Sequence, residues 1–287
     1  MKRMGTRIGC VSLAIVMLGL ATAAQAQETV PPRVTPPPEE PPPLVQERPR
    51  GRIPSGRLAP GLGSDMDAEA FNVPYDGSFT FVRIRFTASS EGFGRRDLKW
   101  DHDYPRAERN FGQIVDALTE VEQNLDGSNI LAMDDPELFK YPVAYLAEPG
   151  FWTMSASEEE SLRSYLQKGG LLILDDFAGG HWYNTEQQIR TLFPDARFIQ
   201  LDPRHPIFDS FFRIESLDYV HPYYGLTSLF IGVFENNDPM GRPMIIANYN
   251  NDIGEYWEWS DTGFEPIDLS NEAYKLGVNY IVYAMTH

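Results

Sequence analysis

The chain of 287 residues contains a single cysteine, Cys10. That residue lies in the part of the chain that reads as an export signal, so the exported product is expected to have no thiol at all. Disulfides, thiolate metal sites and cysteine nucleophiles are then excluded together. Long hydrophobic runs are missing too: the apolar stretch from Ile8 to about Leu20 falls short of the roughly 20 residues that a bilayer span needs. Basic residues are scarce. The formal charge is −17, and the first 64 residues hold eight of the 24 Lys and Arg but four of the 41 acidic residues, which leaves the remainder near −21. Nucleic acid is a poor partner for such a body, because phosphate binding depends on Lys and Arg displacing counterions. No G-x-S-x-G elbow, P-loop, G-x-G-x-x-G or H-E-x-x-H is present, so serine hydrolase, nucleotide-binding and zincin readings lose their usual support.

What is present divides the chain in three. Lys2, Arg3 and Arg7 precede the apolar run, and Ala24-Gln25-Ala26 offers the small residues of a cleavage site. Residues 1–26 therefore read as a signal peptide cut between Ala26 and Gln27, which predicts a periplasmic or secreted product with no transmembrane span. Cys10 is not a lipid-attachment site, since it sits before the apolar run with Arg7 three residues upstream. Residues 27–64 form a proline-rich linker. Eleven of the 23 prolines fall between Pro31 and Pro60, and proline, with fixed φ and no donor, favours a hydrated polyproline II spacer over a packed core. A ligand for a proline-recognition module is the alternative. Residues 65–287 are enough for a single sizeable domain.

Within that domain, alternation over Phe79–Phe86 predicts a strand, and Phe111, Ile114, Val115, Leu118 and Val121 fall on one helical face. Strands are expected at Ile130–Ala132, Pro142–Ala147, Leu171–Leu174 and Arg197–Leu201. Ser157 with Glu160 reads as a capping box before a helix that Gly169-Gly170 stops. Asn184 and Gln187 are expected to cap a short helix carrying Ile189, Leu192 and Phe193, and a final helix is expected to enter after Ser270. Alternating strands and helices predict an α/β fold with a mostly parallel sheet covered on both faces. Leu229–Phe234 and Pro243–Tyr249, separated by turn residues, predict an added antiparallel pair near the C-terminus.

In open α/β sheets the ligand crevice lies outside the carboxyl ends of the strands. The loops predicted there carry all five tryptophans, with carboxylates beside them. Trp100, Glu148, Trp152, His181, Trp182, Asn251, Glu255 and Trp257 are the candidate ligand-binding residues. Indole faces beside carboxylates suit a sugar, whose C–H faces stack while its hydroxyls bond acidic oxygens. The competing reading is that these tryptophans cover the sheet ends and anchor the loops. Asp103, Asp175, Asp176 and Asp252 are the candidates for acid, base or ligand in a hydrolase. Asp175 and Asp176 do not form a pair by themselves, because neighbours on a strand point to opposite faces. A hard divalent ion on scattered carboxylates would suit the charge. Acidic clusters are ordinarily solvated surface, however, so no residue is assigned as a metal ligand and no cofactor is expected.

Several of these segments are similar to a known family. Trp100-Asp101-His102-Asp103-Tyr104-Pro105 with Asn110-Phe111, Gly169 to Phe177, His205-Pro206-Ile207-Phe208, Tyr249 to Trp257 and Leu276 to Tyr280 resemble the bacterial domain of unknown function (DUF) 4159, from about Phe79 to the C-terminus. The resemblance implies an offshoot of the class I glutamine amidotransferase-like fold, a flavodoxin-like three-layer sandwich. True amidotransferases carry a cysteine nucleophile on the turn after a central strand, where this chain has Asp175-Asp176-Phe177. Glutamine hydrolysis by a thiolate is therefore excluded. The expectation is an exported module that binds a small molecule, a glycan or an envelope protein partner at the carboxyl rim of the sheet. The alternatives are a carboxylate-based or metal-assisted hydrolase, with carbohydrate as a candidate substrate, and a structural part of an envelope complex.

Overall fold

A computed structural model describes residues 72–89 and 97–287. The signal segment, the cleavage site and the proline tract lie outside the described residues. The strands are β1 (Val82–Arg85), β2 (Thr87–Ala88), β3 (Asn129–Ala132), β4 (Val143–Ala147), β5 (Trp152–Thr153), β6 (Leu171–Phe177), β7 (Ile199–Gln200), β8 (Leu229–Phe234) and β9 (Pro243–Tyr249). The helices are α1 (Arg106–Leu118), α2 (Ala156–Gln167), α3 (His181–Leu192), α4 (Ile253–Trp259) and α5 (Ile267–Thr286). Seven strands form one sheet in the order β3-β1-β4-β6-β9-β8-β7, and β2 pairs with β5 apart from it. The first five strands in that order run parallel, whereas β8 is antiparallel to β9 and β7 to β8. The parallel part has the flavodoxin-like order, with the chain reversing direction across the sheet between β1 and β4.

Strand periodicity divides the core. Val143, Tyr145, Ala147, Leu171, Ile173 and Ile246 face a layer built from α1, α4 and α5. Ala144, Leu146, Leu172, Leu174, Ile245 and Ala247 face α2 and α3. Both faces are covered, which is why the central strands read as continuous apolar runs. Close packing on the first face depends on Gly277, because a Cβ there would come within 2.5 Å of Phe111 and 2.6 Å of Trp257.

The antiparallel pair is present, but β9 also serves as the fifth parallel strand, so the pair extends the sheet instead of standing beside it. The strand at Ile199–Gln200 is an antiparallel edge strand and does not continue the parallel series. The capping box lies two residues earlier than expected: Ser155 accepts from the Glu158 N–H, and the Glu158 carboxylate accepts from the Ser155 N–H. Both registers satisfy the Ser-x-x-Glu spacing, and the extended backbone at Ser155 selects the first. The helix after β6 starts at His181 instead of near Asn184, whose amide is used to bond the Pro149 and Trp152 carbonyls. Helix α5 begins at Ile267, one turn before Ser270.

Candidate functional site

The carboxyl ends of the parallel strands bring the acidic residues together. Glu148 follows β4, Asp175 and Asp176 end β6, and Asp252 follows β9 as the N-cap of α4, where it accepts from the Glu255 N–H at 3.0 Å. Residues 97–105, which lead into α1, supply Asp97, Lys99, Asp101, His102 and Asp103. Lys99, Asp103, Glu148, Asp176 and Asn250 all take left-handed backbone conformations, with φ between 51° and 65°. Non-glycine residues seldom do so, and such strain gathers where side chains must be aimed.

At Asp176 this conformation has a direct consequence. The β6–β9 register shifts between Leu174 and Phe177, so the two aspartates leave the strand in different directions. Asp175 is wholly buried and accepts from the Tyr145 hydroxyl at 2.6 Å, the Gly254 N–H at 2.9 Å and the Asn248 amide at 3.0 Å. Tyr280 in turn donates to Asn248 at 2.9 Å. Asp175 is thus a brace that ties β4, β6, β9, α4 and α5 together. Asp176 faces the rim, 3.2 Å from His102 Nδ1, and accepts from the Tyr224 hydroxyl at 3.3 Å. The same His102 nitrogen is 3.2 Å from Glu148, and its other ring nitrogen is 3.1 Å from Asp97. Lys99 lies 2.9 Å from Asp97 and 3.4 Å from Glu148.

These groups are not solvated surface. Glu148, Asp176 and Asp252 are 7%, 6% and 7% exposed. The ordinary behaviour of acidic clusters, on which no metal ligand was assigned from the sequence, therefore does not apply at this rim. One oxygen from each of Asp103, Asp176 and Asp252 lies within 4.8 Å of the others, and the same holds for His102, Glu148 and Asp176 through one ligand atom each. Burial, the charge of Asp176 and that of Glu255 hold Asp103 well above the usual carboxylate range. Asp252 is raised in the same way by burial, then by Asp176 and Asp103. Glu148 is pushed up to about 7 by burial and by Asp176, against the opposing pull of His102 and Lys99. His102 goes the other way: burial disfavours its cation, but Asp176 and Glu148 outweigh that and raise it to about 10. Like charges held close in a poorly solvated place favour proton sharing or a cation.

Four of the five tryptophans are buried. Trp152, Trp182 and Trp257 are no more than 1% exposed, and Trp100 is 3% exposed. Trp257 stacks on Phe111 with ring centres 4.4 Å apart, and the Trp182 indole N–H donates to Glu186 at 3.0 Å. No ring face of these four is offered to a sugar, so the covering and anchoring reading is the one the burial favours. Of the other candidates, Asn251 is buried and accepts from the Asp252 N–H at 2.9 Å. His181 packs edge-on against Phe151, and burial holds it below the usual histidine range against the opposing charge of Asp176. Glu255 belongs with Asp103 and Glu258 in a third group of ligand atoms within 4.8 Å.

Sequence reading missed Lys99, Tyr145, Tyr224 and Asn248. Lys99 and Tyr224 lie in polar loops without periodicity, and Tyr145 and Asn248 sit in strands that read simply as core.

Residues 80–285 match the family model described as Domain of unknown function (DUF4159). The chain belongs to the DUF4159 family. No curated protein matches it. The DUF4159 domain has an α/β sandwich with a mainly parallel sheet, and no helix among the described residues is long and apolar enough to cross a membrane. Near the end of its central strand β6, the DUF4159 domain carries Asp175-Asp176-Phe177, with Asp176 at φ 56°.

Proposed function

We propose that this DUF4159 protein is an exported binding module, without amidotransferase activity, whose ligand occupies the acidic crevice at the carboxyl rim of the sheet. One observation carries the reading: carboxylates from the ends of β4, β6 and β9, together with the 97–105 segment, converge beside the point where the strand order reverses. That is where open α/β sheets hold ligands. The ligand class that fits is a small molecule or glycan, or an envelope protein, presenting hydroxyl, amine or other donor groups to acidic oxygens. With Trp100, Trp152, Trp182 and Trp257 buried, recognition relies on polar contacts and not on a platform built from those four indoles.

A second reading, carboxylate-based or metal-assisted hydrolysis, is favoured by the approach of Asp103, Asp176 and Asp252 to within 4.8 Å.

The test is retention of the purified mature protein on murein sacculi, outer-membrane fractions and a glycan array. Wild type is expected to be retained on at least one of these, Glu148→Gln and Asp176→Asn to lose retention by about tenfold or more, and the distant surface variant Asp202→Asn to bind as wild type. Equal retention of wild type and both rim variants would remove the basis of the proposal.

A further inference from the structure

We propose that Asp103, Asp176 and Asp252 together bind a hard divalent cation. The inference rests on the crevice assignment above and narrows it, because a metal held there would present open positions to the oxygens of the ligand.

The three oxygens lie within 4.8 Å of one another. Oxygens that share one Mg2+ or Ca2+ at 2.0–2.6 Å sit roughly 3–5 Å apart, so the spacing is that of a coordination shell. A cluster of acids alone would not point to a ligand, but Asp103 adds an independent observation. Its Oδ2 is sealed from solvent and has no hydrogen-bond partner. A buried carboxylate oxygen without a donor is costly, and a cation supplies what it lacks. The position is also kept clear: a Cβ on Gly254 would lie 2.6 Å from that oxygen.

The remaining contacts orient the ligands. Tyr224 and His102 hold Asp176 from two sides, and the first turn of α4 fixes Asp252 through the Glu255 N–H. Orienting partners of this kind are what metal ligands ordinarily have. With three carboxylates and no thiolate or imidazole in the set, the site selects a hard ion such as Ca2+, Mg2+ or Mn2+.

The experiment is a titration of metal-free mature protein with Tb3+, followed by competition with Ca2+, Mg2+ and Mn2+. Tyr224, hydrogen-bonded to Asp176, is placed to sensitise Tb3+ emission. Wild type is expected to show saturable emission that divalent ions displace. Asp103→Asn is expected to bind more than about tenfold more weakly, since even outer-shell changes act on that scale. Asparagine suits these positions: it tolerates the left-handed backbone of Asp103 and Asp176 and caps a helix as well as the aspartate at 252. An unfolding midpoint in metal-free buffer at or above that of wild type would confirm that Asp103→Asn is folded. Absence of saturable emission from wild type, or equal affinity in folded Asp103→Asn, overturns the proposal. Repeating the sacculus and glycan retention in EDTA separates the two readings. Retention in EDTA without Tb3+ binding leaves the crevice and removes the metal, and Tb3+ binding without retention does the opposite.

Discussion

Arg83→Met is expected to lower unfolding stability by about 3–5 kcal/mol, and Arg83→Met with Glu108→Leu to recover most of that loss. Arg83 stands in β1 with no exposed surface, and its guanidinium pairs with Glu108, whose side chain is 2% exposed. It also donates to the Trp100 carbonyl at 3.0 Å and lies 5.0 Å from the centre of the Tyr145 ring. Removing the cation alone strands a buried carboxylate, whereas removing both groups returns the site to apolar packing. The pair also stands directly under the 97–105 segment, so the double variant should fold yet hold His102 and Asp103 less firmly. Urea unfolding of the three proteins checks this. A loss under about 1 kcal/mol for the single variant would mean that Glu108 finds another partner.

Trp257→Ala is expected to cost about 3–5 kcal/mol, and Trp257→Phe distinctly less. The indole is 1% exposed, stacks on Phe111 and presents an edge to Phe81 with ring centres 6.3 Å apart. Its N–H is buried without a partner, so phenylalanine gives up contact area but no hydrogen bond. Had the ring served a ligand, alanine would have abolished binding at little cost in stability. Thermal unfolding beside ligand retention distinguishes the two outcomes.

The tryptophans also show where sequence reading reached its limit. Each occurs near a strand end beside acids, and in sequence that placement is shared by a binding platform and a core plug. The difference lies in Phe111, Gly277 and Phe81, which approach Trp257 only through folding. Periodicity carried further: the apolar runs at β4, β6 and β9 were legible, since burial on both faces leaves a one-dimensional signature. The face expected for α1 holds only in part, because Phe111 and Val115 are buried whereas Leu118 is exposed and Val121 lies beyond the helix end. The carboxylate rim was legible as a list of residues but not as a cluster. Asp175 and Asp176 are adjacent letters, and only the left-handed turn at Asp176 with its register shift makes one a brace and sets the other at the rim. In sequence His102 stands between Asp101 and Asp103, whereas in the fold it bridges Asp97, Glu148 and Asp176.

The central claim is that the rim carboxylates behave as one electrostatic unit. Carboxyl-carbon NMR titration of metal-free wild type and Asp176→Asn tests it most directly. Asp103 and Asp252 are both raised, first by burial and next or jointly by the charge of Asp176. The account predicts that both titrate well above the usual aspartate range of about 4 in wild type, and that both move down when Asp176 becomes neutral. Titration of each near 4, unchanged by Asp176→Asn, would contradict it.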